Sequence, residues 1–320
     1  MVISASYKTD IPAFYGRWLL KRLDAGYCWV KNPFSERPFF VSLACEDVDG
    51  IVFWTKNAWP FMSAAEEVRR KSFPFYFQYT VTGYGEVIER AVVRPSRSVD
   101  AIRRIVDQFG SGSVIWRYDP IVLTDSMSFD WHVENFSNLA AALAGYVDEV
   151  ATKFMVVHSK TRRNLTAAIG RSWFDPDPAS KAELLRAIDG VSKSQEMRMT
   201  LCSEPETQID LPKAVCIDAA RLNRMGAHIE APRTLGNRHG CLCIEARDIG
   251  DYDTCPQGCA YCYATQQQRL TILRHSQHDP LAESLIPMRC PSQPPNVRQP
   301  TLLDCDPRSR IVSSPATGDC

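Results

Sequence analysis

GIVFWTKN, residues 50–57, sets a glycine and four apolar residues in a row and then turns polar at Thr55, Lys56 and Asn57. A run this short and this continuously apolar suits a strand covered on both faces, as in a parallel sheet, better than a half-solvated strand. Similar runs recur at Val2–Ala5, Phe73–Thr80, Ser113–Trp116, Lys153–Val157 and Met197–Leu201. Helical patterns lie between them. Val99, Ile102, Ile105, Val106 and Phe109 share one helical face, as do Val133, Phe136, Leu139, Ala140 and Leu143. Asp177 and Pro178 form an N-cap and first-turn pair for a helix reaching to about Ile188. Strands alternating with helices predict an α/β fold of the (βα)-repeat type, a partial or complete TIM-like barrel.

Polar residues follow the apolar runs. Gln78, Thr80 and Thr82 come after Phe77, Arg117 and Asp119 after Trp116, His158, Lys160 and Arg162 after Val157, and Cys202 and Glu204 after Leu201. Each alone reads as a surface or structural residue. Together they predict a shared mouth at the carboxyl ends of the strands, where such folds place their sites. Lys56, Arg117, Asp119 and Lys160 are the candidate catalytic residues of that mouth. Lys160, Arg162, Arg163 and Arg171 also form a basic patch that suits either a solvated face or a phosphate or carboxylate. Asp10, after the first strand, carries the same ambiguity.

The whole chain has 320 residues, of which 45% are apolar and 23% charged, with 37 basic and 37 acidic side chains. It can bury a large core. Balanced charge argues against a main role in gripping nucleic acid or an acidic membrane. No apolar run of about 18 residues offers a membrane span, and the amino terminus lacks an export signal, so a cytoplasmic protein is expected. In a reducing compartment its twelve cysteines point to metal or catalysis before disulfides. Residues 1–288 read as one βα domain with a cysteine-rich region at 200–265. Residues 289–320, rich in proline and serine, read as a disordered tail with Cys290, Cys305 and Cys320 incidental.

TCPQGCAYCYA, residues 254–264, packs Cys255, Cys259 and Cys262 into eight positions. Soft thiolates at this spacing suit an iron–sulfur cluster or zinc. Three ligands leave one iron of a cubane open, as catalysis requires. A structural zinc would recruit a fourth ligand, from Cys241, Cys243 or a histidine. His132, His228, His239, His275 and His278 show no metal-binding spacing. Cys202, Cys216, Cys241 and Cys243 could form a second metal site, an auxiliary cluster or a zinc, against the plain alternative of core cysteines. Cys28 and Cys45 sit among apolar neighbours and read as core.

Cys-x3-Cys-x2-Cys with Tyr261 before the last cysteine resembles the cluster motif of the radical S-adenosylmethionine superfamily, and Tyr261-Cys262-Tyr263 resembles its spore photoproduct lyase branch. Over residues 2–288 the chain resembles the bacterial DUF1848 family, through the segments at 4–16, 48–57, 78–84, 116–121, 160–165, 200–206, 216–222 and 241–264. The resemblance implies a [4Fe–4S] cluster on Cys255, Cys259 and Cys262 whose unique iron chelates S-adenosylmethionine. One-electron reduction, from a donor such as flavodoxin or ferredoxin, would yield a 5′-deoxyadenosyl radical that abstracts hydrogen from an organic substrate. Tyr261, Asn57 and Thr80 are the expected cofactor-binding residues. The usual glycine-rich motif has no clear counterpart in residues 50–57 or 80–86. In most superfamily members the cluster loop follows the first strand, whereas here it comes last. A circular permutation of the radical S-adenosylmethionine barrel would reconcile the two: a strand at Cys243–Arg247, the cysteine loop at 248–259 and a helix at 260–273 would close against Val2–Ala5. The competing reading is a non-catalytic zinc- or cluster-binding sensor, or an electron-transfer protein.

Overall fold

A computed structural model describes residues 1–290 except 33, 34, 204 and 237. The strands are β1 (Val2–Ala5), β2 (Tyr27–Lys31), β3 (Pro38–Ser42), β4 (Gly50–Thr55), β5 (Phe75–Thr80), β6 (Val114–Ile121), β7 (Leu123–Thr124), β8 (Glu149–Phe154), β9 (Trp173–Phe174), β10 (Arg198–Leu201) and β11 (Ala246–Asp248). Seven of them form one sheet in the order β10-β8-β6-β5-β4-β1-β11, and every pairing in it is parallel. The carboxyl ends therefore share one edge of the sheet. The fold is mixed α/β, with β10 and β11 as the two sheet edges. Among the described residues no helix is long and apolar enough to cross a membrane.

Alternation within each strand divides the apolar residues between two layers. Ile3, Ile51, Phe53, Phe75, Phe77, Val114, Trp116 and Val150 face helices, including Pro95–Phe109, Phe129–Leu143 and Pro178–Ser194, in the main core. Both amphipathic faces predicted for the first two of these helices pack there. Asp177 caps the third by accepting from the amides of Ala179 and Ser180. That helix runs one turn and a half past Ile188, because Leu184, Leu185, Ile188 and Ser192 continue a buried stripe. Val2, Val52, Tyr76, Ile115 and Ala151 point the other way and meet Ala214, Ile217, Leu222 and Ile244. The long connection from β10 to β11 thus covers the second face of the sheet. Gly50 makes that approach close, since a Cβ there would lie 2.7 Å from Leu222 Cδ2.

Several boundaries differ from the sequence-based expectation. The strand expected at Lys153–Val157 is Glu149–Phe154. Its charges hid it. Glu149 is buried against Arg198, Arg221 and Thr200, and Lys153 donates to the carbonyls of Cys202 and Ser203. β6 does not stop at Trp116 but continues through Arg117 and Asp119 to Ile121, with an irregularity in its pairing to β8. The strand expected at Cys243–Arg247 is Ala246–Asp248, because Ile244 bridges Thr234 in an antiparallel turn instead. The helix expected at 260–273 is Gln268–Ser276. Asp253 holds its start by accepting from the amides of Gln266 and Gln267, while 260–265 stays in turns. The proposed tail falls almost wholly at 291–320, outside the described residues, as do Cys305 and Cys320.

Candidate functional site: a cysteine loop at the carboxyl edge of the sheet

The loop after β11 is held to β1 and β4 by buried polar contacts. Asp248 ends β11 and accepts from Ser4 Oγ (2.8 Å), Ser6 Oγ (2.7 Å) and the amide of Tyr7 (3.0 Å), with Lys8 Nζ at 3.3 Å. Thr9 Oγ1 lies 2.6 Å from Thr254 Oγ1, and Tyr15 donates to the Thr254 carbonyl at 2.5 Å. Asp10 joins three segments at once. It accepts from Thr55 Oγ1 (2.8 Å), the Lys56 amide (2.9 Å), Gln257 Nε2 (2.8 Å) and the Ala13 amide (3.0 Å). Burial pushes its carboxyl pKa up despite those four donors.

The far side of the loop rests on residues 83–94. Ala260 donates to the Ile88 carbonyl at 2.8 Å and Ala91 to the Gln257 carbonyl at 2.9 Å, so Cys259 and Glu89 form an antiparallel bridge. Gly258 makes the turn with φ +72°, a conformation that strains other residues, and a Cβ would sit 3.1 Å from Arg90 Cβ. Cys255, Cys259 and Cys262 therefore lie in one half-buried neighbourhood. Burial pushes the thiols of Cys255 and Cys259 up, and each also feels Cys262. Among the described residues no three His, Cys, Asp or Glu side chains are already set around a single ion.

Charge is concentrated beside these sulfurs. Glu89 is buried and accepts from Lys56 Nζ (2.8 Å), Thr82 Oγ1 (2.8 Å) and the Tyr261 hydroxyl. Burial draws the Lys56 pKa down, but Glu89 and Cys259 outweigh it and leave it raised, so Lys56 stays an ammonium. Its Nζ also lies 5.6 Å from the centre of the Tyr261 ring. Arg117 is buried on the second sheet face, paired with Asp119, 5.2 Å from the Trp54 ring centre and 3.1 Å from both Gln78 Oε1 and Cys216 Sγ.

The predicted mouth residues thus divide. Lys56 and Tyr261 come together at the cysteine loop, and Arg117 with Asp119 lies on β6, two strands along the sheet from β4. Asn57 uses its side chain to accept from the Trp59 amide and cap the next turn. Thr80 sits half-buried at the end of β5. Lys160 donates to the Tyr263 carbonyl at 3.1 Å, and Arg163 to that of Gln266 at 3.1 Å, so part of the basic patch docks its helix onto the loop. Arg162 and Arg171 instead line a surface cleft of about 550 Å³ with Trp173 and Asp175. Glu89 and Gln257 escaped the sequence reading. Gln257 lies inside the cysteine motif, which was the available signal, whereas Glu89 sits in a loop with no pattern of its own.

A family model described as a domain of unknown function (DUF1848) matches residues 2–264. The chain belongs to the DUF1848 family. No curated protein and no solved structure matches it. Within the DUF1848 chain the match spans the sheet from β1 to β11 and closes just after the three cysteines.

The second cysteine set also gathers. Cys202 follows β10, and residues 212–217 return along it through Leu201–Pro212 and Ala214–Leu201 backbone bonds, which brings Cys216 Sγ to 3.9 Å from Cys202 Sγ. Cys243 lies near enough to Cys216 and Cys241 for their thiols to shift its pKa. Cys216 lowers it, but Cys241 and burial overcome that, leaving Cys243 at about 11. Cys28 lies in the main core as a free thiol, as expected, whereas Cys45, also in that core, is disulfide-bonded rather than a plain core thiol.

Proposed function

We propose that the DUF1848 chain is a radical S-adenosylmethionine-type enzyme built on a permuted partial βα barrel. The observation that carries this reading is the Cys255–Cys262 loop at the carboxyl edge of a parallel sheet, between Asp10, Lys56 and Glu89. The parallel pairing of β11 with β1 supports the permutation, since it sets the last βα unit beside the first strand. The donor set also fits. Three half-buried thiols in one loop, which among the described residues are not set around a single ion, suit a cluster that spreads its ligands over separate irons.

Cys255, Cys259 and Cys262 would hold the [4Fe–4S] cluster. When bound with S-adenosylmethionine it would supply one-electron cleavage of the sulfonium and a radical able to take hydrogen from an organic substrate. The chain's own residues set the surroundings. Asp10 fixes the loop through Gln257, and Glu89 orients both Lys56 and Tyr261. Lys56 places a fixed positive charge beside Cys259, which favours the thiolate needed for ligation. Tyr261, Thr80 and the Arg117–Asp119 pair are the groups available to position cofactor and substrate, and Asn57 acts through the turn it caps. A flavodoxin- or ferredoxin-like donor would supply the electron.

Release of 5′-deoxyadenosine and methionine by anaerobically reconstituted, dithionite-reduced protein tests the proposal directly. Turnover that disappears in Cys259→Ala is expected. A correctly folded, iron-loaded protein that never cleaves S-adenosylmethionine refutes it in favour of electron transfer or sensing.

A further inference from the structure

We infer that Cys202, Cys216, Cys241 and Cys243 form a second, closed metal site that takes one zinc ion and locks the 202–245 segment onto the sheet. The inference stands apart from the chemistry of the Cys255 loop, because it needs none of its residues.

Four sulfurs from three stretches of chain converge here without any spacing that requires it. Cys202 comes from the end of β10, Cys216 from the returning strand-like segment, and Cys241 and Cys243 from a turn. Cys216 Sγ meets Cys202 Sγ at 3.9 Å, and Cys243 lies near enough to both Cys216 and Cys241 for their thiols to shift its pKa. Cys202, Cys216 and Cys243 are each about 5% exposed or less. Cysteines are often buried singly as small apolar groups, but four gathered in one neighbourhood are a potential donor set.

Distance chooses between the metals. A tetrahedral zinc with Zn–S of about 2.3 Å has sulfur–sulfur edges of roughly 3.8 Å. Cys202 Sγ and Cys216 Sγ lie 3.9 Å apart. A cubane would need its thiolates on separate irons and hence further apart. Among the described residues no three of these side chains yet surround a common point, so metal binding has to draw the whole set together into the tetrahedron. The Cys241 end is built to approach. Cys241 and Cys243 alternate about Leu242 in a turn closed by Leu235–Cys243 and Cys241–Arg238 backbone bonds. Gly236 faces it, and a Cβ there would lie 2.4 Å from Cys241 Cβ and 2.8 Å from its sulfur.

Charge completes the match. Four thiolates on one zinc carry a net charge of −2, which is costly to bury unless it is paired and hydrogen-bonded. Arg117 Nη1 already donates to Cys216 Sγ at 3.1 Å and the Ile217 amide to Cys243 Sγ at 3.4 Å. Arg238 feels both Cys202 and Cys216, and Lys153 Nζ caps the carbonyls of Cys202 and Ser203. These are the donors that orient and stabilise ligating sulfurs from outside the coordination shell.

Elemental analysis and zinc-edge X-ray absorption of full-length protein test the inference, on the wild type and on a Cys255→Ala/Cys259→Ala/Cys262→Ala variant. We expect one zinc per chain with four sulfur neighbours in both proteins, and iron only in the wild type. Cys216→Ser should lower zinc at least tenfold while the Cys255 loop still takes up iron. The wild-type spectrum decides the matter even if Cys216→Ser fails to fold. Iron remaining in the triple variant, with no zinc, would overturn zinc in favour of an auxiliary cluster. Neither metal there would overturn the site altogether. Either failure leaves the S-adenosylmethionine cleavage assay untouched.

Discussion

The two cysteine regions of this chain are held in opposite ways. Residues 249–262 are tied down by polar groups: Asp10, Asp248, Thr9, Tyr15 and the backbone of 88–91 grip the loop, and its sulfurs stay half-buried beside Lys56 and Glu89. Residues 202–245 are held by apolar packing of Ile217, Leu222 and Ile244 on the sheet, with three of four sulfurs buried and Cys202 touching Cys216. A loop fixed by hydrogen bonds can hold ligands apart and leave one side reachable. A segment fixed by packing brings its sulfurs together and seals them. The first arrangement suits chemistry and the second suits structure.

The sharpest way to break that contrast is to remove ligands from one side only. Cys259→Ala is expected to reduce iron and visible absorbance after reconstitution at least tenfold, while the melting transition of the apo protein moves little. A large fall in apo stability would mean that the loop is structural too. On the packed side, Leu222→Ala removes a fully buried side chain under the 202–245 segment and should cost about 2–5 kcal/mol in urea titration. A loss under about 1 kcal/mol would show that packing does not hold the segment. Glu89→Ala would leave the Lys56 ammonium buried without its carboxylate, at a cost of about 3 kcal/mol, and Glu89→Gln should recover part of it by keeping the hydrogen bonds.

Much of this was legible in the sequence. Runs such as Gly50–Trp54 become strands because β-branched and aromatic side chains can be covered on both faces, and their apolar continuity said so. Asp177 announced its helix by capping it. Glu149–Phe154 was not legible, since a charge at each end of the strand is silenced only by Arg221, Arg198 and the Cys202 carbonyl, which are remote in sequence. The three cysteines of the loop stood out by spacing alone. Glu89 did not, because its role arises where Lys56 and Tyr261, both remote in sequence, meet it beside Thr82, and a single sequence carries no mark of such a meeting.

Smaller effects refine the picture away from both sulfur sets. His132 is buried between the Tyr118 hydroxyl (2.8 Å) and the Val122 carbonyl (3.0 Å), and burial lowers its pKa to about 4. Its folded pKa lies below the ordinary histidine value, so its contribution is intact above about pH 6.5 and fades as pH falls through about 4. Stability curves of the apo protein should decline across that window, and His132→Gln should flatten the decline. An unchanged slope would remove His132 as its cause. Tyr261→Phe deletes one hydroxyl donated to Glu89 and should cost about 1 kcal/mol, the least of these changes.

The most direct measurement is the electron paramagnetic resonance spectrum of anaerobically reconstituted, dithionite-reduced protein with and without S-adenosylmethionine. We predict a reduced [4Fe–4S] signal that is lost in Cys255→Ala and whose g-values shift when S-adenosylmethionine is added, as an open iron beside Lys56 and Tyr261 requires. A cluster signal indifferent to S-adenosylmethionine, or no cluster signal from well-folded protein, would contradict the account.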